Sequence, residues 1–304
     1  MNPRIPDPSS ANPHAAAVGE EAESRLAQAE SRLAQIFALA GRPLLIPYLT
    51  GGYPSLEGSR ALIDRYLDSG ADIVEIGVPF SDPLADGPTI QATSQVALKA
   101  GVTPGDVFQL AAHATGRGAP VVLLAYLNTI LARTPEVFFE HCRDSGVLGV
   151  VVPDVPVDEA QELQRVARAN GVDVVLLAAP TSTDQRLDRI AAAASGFIYC
   201  VSVTGVTGAR SAVSADLTGF LQRLRVRTEL PLAVGFGIST PEQAGEVAKS
   251  ADGAIIGSRL MSLMQEASGE EAGLEAVGEF LLAAADAVRK ARSREDPPRS
   301  PTAR

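Results

Sequence analysis

Residues 72–91 read DIVEIGVPFSDPLADGPTIQ. The first six are apolar and β-branched apart from Asp72 and Glu75, and have the length of a strand covered on both faces. Three prolines follow (Pro79, Pro83, Pro88), with two more acids, Asp82 and Asp86, between them. Pro88 suits the first position of a helix, where its missing N–H costs nothing. The stretch is therefore one strand–loop–helix unit with a carboxylate at the strand's end.

Working outward, the same unit recurs. Apolar runs stand at LLIPYL (44–49), DIVEIG (72–77), PVVLLAY (120–126), GVVVPD (149–154), DVVLLAA (173–179), GFIYCVS (196–202), PLAVGF (231–236) and DGAIIG (252–257). Amphipathic helical stretches fill the gaps, and a long helix is expected after the last run, ending near Ala291. Eight βα units over roughly 250 residues are the arithmetic of a closed barrel. A doubly wound sheet would carry a glycine-rich GxGxxG turn after its first strand, and TGGYPSLEG (50–58) is not one. The predicted fold is α/β, a single-domain (β/α)8 TIM barrel over 21–292. An amphipathic helix over 22–40 precedes it, carrying the tandem AESRLAQ repeat (22–28 and 29–35). Residues 1–20 and 293–304, rich in Pro, Ser and Ala or Arg, are expected to be disordered tails.

Composition narrows the function. The 304 residues are 46% hydrophobic, enough for a large core, and carry a formal net charge of −10. That charge opposes nucleic acid or an anionic membrane surface as a partner. It leaves open a small anion held by backbone N–H groups and a helix dipole. No apolar run approaches the roughly 20 residues of a membrane span. The N-terminus lacks the apolar core of a signal peptide, so a cytoplasmic location is expected. The two cysteines, Cys142 and Cys200, lie in apolar patterns with no metal-ligand spacing. His14, His113 and His141 offer no cluster either, so no metal is expected.

In such a barrel the chemistry sits at the C-terminal strand ends. Alternation places Ile73, Glu75 and Gly77 on one face of the second strand and Val74 and Ile76 on the other. If the second pair packs on helices, Glu75 points into the mouth, where desolvation raises its pKa and suits it to proton transfer. Asp86 has two readings, a site acid or a cap for the helix that follows. Asp82 fits ordinary turn chemistry, and Asp154 is either a third acid at the mouth or a supporting loop residue. Gly205 and Gly208 give the loop after the sixth strand the freedom of a lid over 203–215. Gly237, Gly257 and Ser258, after the seventh and eighth strands, suit a phosphate cradle. Two or three acids opposite a phosphate cradle suit carbon–carbon cleavage or isomerisation of a phosphorylated substrate.

The quoted stretch also resembles the tryptophan synthase α subunit family. The resemblance runs over about 40–290 through LIPYLTGGYP, LLAYLN, VVPDVP, SVTGVTGAR, GFGIS and GAIIGS, in that order. It implies retro-aldol cleavage of indole-3-glycerol phosphate to indole and glyceraldehyde 3-phosphate. Glu75 would protonate indole C3, and Asp86 would accept the indole N–H. Thr207 on the lid would help close the site over Asp86. Gly208, Gly237, Gly257 and Ser258, with Phe236 between, would hold phosphate. Tyr48, Leu124, Tyr126, Val151, Leu177 and Tyr199 would line the indole pocket, Tyr48 standing where Phe is common in the family. The resemblance further implies a β-subunit partner in an α2β2 heterotetramer, facing the loop around Asp82 and the segments near Asn128 and Pro156. Pyridoxal phosphate would belong to that partner, with no cofactor on this chain. Two other classes remain at this point: an FMN-binding oxidoreductase barrel, which a yellow protein would favour, and a non-catalytic subunit that only activates a partner.

Overall fold

A computed structural model describes residues 31–201, 210–235 and 237–291. The expected tails, the N-terminal repeat before Ser31, Thr207, Gly208, Phe236 and most of the 203–215 lid lie outside the described residues.

In chain order the elements are α1 (Arg32–Ala40), β1 (Leu44–Thr50), α2 (Leu56–Asp68), β2 (Val74–Gly77), α3 (Pro88–Lys99), α4 (Pro104–Gly116), β3 (Val121–Leu124), α5 (Leu127–Leu131), α6 (Pro135–Asp144) and β4 (Gly149–Val151). There follow α7 (Gln161–Ala169), β5 (Asp173–Ala178), α8 (Asp184–Ala193), β6 (Ile198–Val201), α9 (Arg210–Arg225), β7 (Leu232–Gly235), α10 (Pro241–Ala248), β8 (Gly253–Ile256), α11 (Ser258–Glu266) and α12 (Glu270–Lys290). The eight strands close in sequence order, all parallel, with β1 pairing β8. This is the TIM barrel expected from the rhythm of the runs.

Several boundaries differ from expectation. The helix expected over 22–40 is not continuous across Ser31, whose extended backbone and side chain, accepting from the Ala34 N–H, cap α1 instead. The single long helix after the last strand is two, α11 and α12. Most strands are shorter than the apolar runs, β2 beginning at Val74 and β4 ending at Val151.

The lower end of the barrel is plugged and its acids are satisfied. Leu33 and Phe37 of α1 press on the strand starts at Gly149, Gly196 and Gly253, where a Cβ would lie 2.8, 2.9 and 3.2 Å from their side chains. Ser31 donates to Asp173 at 2.6 Å. Asp72 accepts both guanidinium nitrogens of Arg42 at 2.9 and 2.6 Å and the Leu45 N–H at 2.9 Å. Asp252 pairs with Arg225 and accepts the Leu232 N–H. Buried acids need such partners to remain charged without a large desolvation penalty. With the lower end closed, the opposite rim is where a ligand can enter. No helix among the described residues is long and apolar enough to cross a membrane.

Candidate active site

Glu75 sits on the inward face of β2, in register with Tyr48 of β1 and Val122 of β3. Ile76 points the other way, toward Val107 of α4, both lying beside Gly51. The alternation expected for β2 is the one found. Glu75 is 1% exposed, and neither carboxylate oxygen has a hydrogen-bond partner among the described residues. Unlike the three acids at the lower end, it is buried and unsatisfied. Burial, and secondarily the charge of Asp86, pushes its pKa up to about 8. That pKa favours the protonated form at neutral pH, and neither oxygen is spent on a described residue.

Asp86 does not cap α3. Gly87 holds the cap position and no side chain bonds there. Tyr126, at the end of β3, organises the loop instead. Its hydroxyl accepts the Ala85 N–H at 3.1 Å and stands near enough to the Asp86 carboxylate to hold its pKa down. Phe80 stacks on its ring with centroids 5.1 Å apart. Burial raises the Asp86 pKa to about 6, opposed by the Tyr126 bond. Two carboxyls in one place thus hold different protonation states near pH 7, the arrangement that assigns an acid and a base.

A cavity of about 240 Å³ opens beside them. Its walls include Tyr48, Asp86, Leu124, Tyr199, Gly237, Gly257 and Ser258. Two inward glycines make room for the tyrosines. A Cβ on Gly77 would lie 2.1 Å from the Tyr48 hydroxyl, and one on Gly235 would lie 2.3 Å from the Tyr199 hydroxyl. Gly237 has a φ of 84°, and α11 begins at Ser258 directly after Gly257, so its free N–H groups and dipole face the cavity.

Not every expected residue lies on the wall. Glu75 is beneath it, close enough to Tyr48, Tyr199 and Asp86 to shift with them. Val151 and Leu177 are in register with Leu124 and Tyr199 but outside the cavity lining. Asp154 is a supporting residue, accepting the Leu127 N–H at 2.8 Å at the start of α5. Asp82 is exposed and bonded to Ser81 at 2.5 Å. The sequence reading missed Gly87, Ile90, Ile238, Ser239, Ile255, Arg259 and Ser262, which complete the lining. Strand alternation from Gly257 would have found Ile255, and helical spacing from Ser258 would have found Ser262. Nothing local marks the others. Among the described residues no group of three potential ligands could hold a metal.

A closed parallel barrel, with a buried unpartnered acid, a second carboxylate and a helix N-terminus around one rim cavity, defines an acid–base enzyme of the (β/α)8 class. Comparison narrows this. Residues 36–289 match the model of the family described as tryptophan synthase alpha chain. The tryptophan synthase alpha chain of Gloeobacter violaceus is 49% identical over 245 residues, covering 79% of this chain and 89% of that one. That of a Roseiflexus species is 44% identical over 267 residues, covering 86% and 99%. Among solved structures, Mycobacterium tuberculosis tryptophan synthase superimposes with a TM-score of 0.78 at 35% identity, covering 85% of this chain and 98% of that one. The chain belongs to the tryptophan synthase alpha chain family, and with it is a lyase of tryptophan biosynthesis.

Proposed function

We propose that Glu75 and Asp86 carry the family's reaction, cleavage of indole-3-glycerol phosphate to indole and D-glyceraldehyde 3-phosphate. The observation that carries this reading is the buried Glu75 carboxyl, with no partner for either oxygen among the described residues, beside Asp86, whose pKa is raised less. Protonated Glu75 delivers its proton to indole C3. The ring nitrogen becomes cationic, and its N–H donates to the Asp86 carboxylate, which stabilises that charge in a site with little water. The second Glu75 oxygen takes the proton of the hydroxyl on the carbon attached to C3. The C3–carbon bond breaks, its electron pair returns to the ring, and an aldehyde leaves. One proton enters at carbon and one leaves oxygen, so general acid–base chemistry accounts for the whole step with no cofactor on this chain.

The phosphate is assigned to Gly237, Gly257 and Ser258, with Gly208 and Phe236 contributing from outside the described residues. The indole is assigned to Tyr48, Leu124, Tyr126, Val151, Leu177 and Tyr199, with Thr207 closing over Asp86. Gly257→Asp should raise KM at least about tenfold, because a like charge then stands a few ångströms from the phosphate. A Cβ there would also approach Tyr48 to 3.3 Å, so Gly257→Asn measures the steric part. Equal KM values for the two variants would remove the phosphate from this rim.

The pH dependence has a fixed sign. The competent form has Asp86 ionised and Glu75 protonated. Thus kcat/KM should rise as pH passes about 6, where Asp86 loses its proton, and fall as pH passes about 8, where Glu75 does. A profile that keeps rising beyond pH 9 would remove Glu75 as the acid.

The partner is a β subunit carrying pyridoxal phosphate, in an α2β2 assembly in the cytoplasm. Leu84 (93% exposed) and Leu131 (51% exposed) support a contact there, since large apolar side chains stand open on the two rim segments near Asp82 and Asn128. The direct test is indole release from indole-3-glycerol phosphate by the purified chain, alone and with the β subunit. No release in either case would overturn the reading.

A further inference from the structure

Tyr48 ends a buried chain of hydroxyls whose direction is fixed by proton count. The Thr93 hydroxyl on α3 lies 2.9 Å from the Ile90 carbonyl, which can only accept. Thr93 has one proton and spends it there. Thr50 lies 2.7 Å from Thr93, so Thr50 donates to Thr93. Tyr48 lies 3.3 Å from Thr50, so Tyr48 donates to Thr50. Thr50 and Thr93 are fully buried and Tyr48 nearly so, so the chain is closed to solvent at its Thr93 end. The backbone of Tyr48 is held as well, its carbonyl accepting the Tyr66 hydroxyl at 2.9 Å.

The consequence lies on the cavity side. With its proton turned away into the chain, the Tyr48 oxygen has only lone pairs left to offer. It stands at the end of β2, in the space above Gly77, on a residue that lines the cavity. Asp86, also an acceptor when ionised, lines the same cavity. One such acceptor meets the ring N–H of an indole, and the second has no counterpart on the unsubstituted ring.

We infer that the Tyr48–Thr50–Thr93 chain makes this pocket selective for indoles bearing a hydrogen-bond donor on the benzo ring, such as hydroxyindoles. The preference would show in the joining of such indoles to glyceraldehyde 3-phosphate. The chemistry is the proposed reaction run backwards. Ring C3 adds to the aldehyde carbon, the aldehyde oxygen takes a proton, and C3 loses one. The inference rests on the indole-pocket reading of the site.

The test is that condensation, run with the full chain and D-glyceraldehyde 3-phosphate. Indole is compared with hydroxyindoles at each benzo position and with the fluoroindole of the same position. Fluorine is similar in size to hydroxyl and cannot donate. The readout is the hydroxy-to-fluoro ratio of kcat/KM in the wild type divided by the same ratio in Tyr48→Phe. Ring electronics are the same in both proteins and cancel. One neutral hydrogen bond corresponds to about fivefold, so the quotient should be about five at one ring position. Thr93→Val, which breaks the chain and releases the Tyr48 proton, should lower the hydroxy-to-fluoro ratio at that position. Thr93→Ser should keep it. A quotient within about twofold of one at every position overturns the inference while the function stands. An unchanged ratio in Thr93→Val overturns it likewise. Failure of indole itself to condense overturns the function and the inference together.

Discussion

Glu75→Gln should lower kcat for indole release by at least about 10²-fold and at the same time stabilise the fold. The rate loss follows from removing the proton donor, since positioned general acids contribute about 10²–10⁴-fold. The stability gain follows from the same burial that makes the residue useful. Unfolded, the carboxyl titrates near 4.5; folded, it holds its proton to about 8. Between those values the folded chain binds more protons than the unfolded one, so stability falls as pH rises through that window. At pH 7 the cost is on the order of 3 kcal/mol. The amide of Gln cannot ionise and escapes it. Calorimetry should therefore find the variant more stable than wild type at pH 8 and equal to it near pH 4, where both side chains are neutral. A variant that retains activity, or shows the same stability difference at both pH values, would show that Glu75 is not the buried acid that supplies the proton.

Asp86→Asn should cost kcat at least about 10²-fold with a much smaller change in KM. The amide oxygen still accepts an indole N–H, so the ground state keeps its hydrogen bond. What disappears is the negative charge facing a ring nitrogen that becomes cationic only after C3 is protonated. An interaction made mainly in the transition state registers in kcat. The acidic limb of the pH profile near 6 should vanish with it, because Asp86 is the group that titrates there. Loss of KM alone, or an acidic limb that survives the substitution, would place the second role elsewhere. Pre-steady-state measurement of indole formation separates this step from product release.

Glu75 was legible because its signals are local. A β-strand has period two, so one carboxylate in an apolar run with apolar neighbours must face either helices or the barrel interior, and Val74 and Ile76 take the helices. The eight runs, and the glycines at the ends of β7 and β8, were legible for the same reason: each depends on residues next to one another in the chain. The family resemblance added roles to those positions.

Asp86 was different. Two residues before Pro88, it fits a helix cap as well as a catalytic base, and no local pattern separates the two. Tyr126 does so from 40 residues away, because β2 and β3 are neighbours in the barrel. Asp154 became a support for α5 by the same kind of long-range bond. Asp72, Asp173 and Asp252 look no different in sequence from Glu75, as single acids beside apolar runs, yet they lie at the plugged end and are paired. The sequence by itself determined the eight-unit barrel and the inward carboxylate of β2, since strand and helix periods are set by neighbouring residues. Tertiary structure alone decided which acids stay unsatisfied, which one the Tyr126 hydroxyl holds, and which way the Tyr48 proton points. Desolvation and hydrogen-bond direction depend on side chains brought together from separate βα units, and only ring closure brings them together.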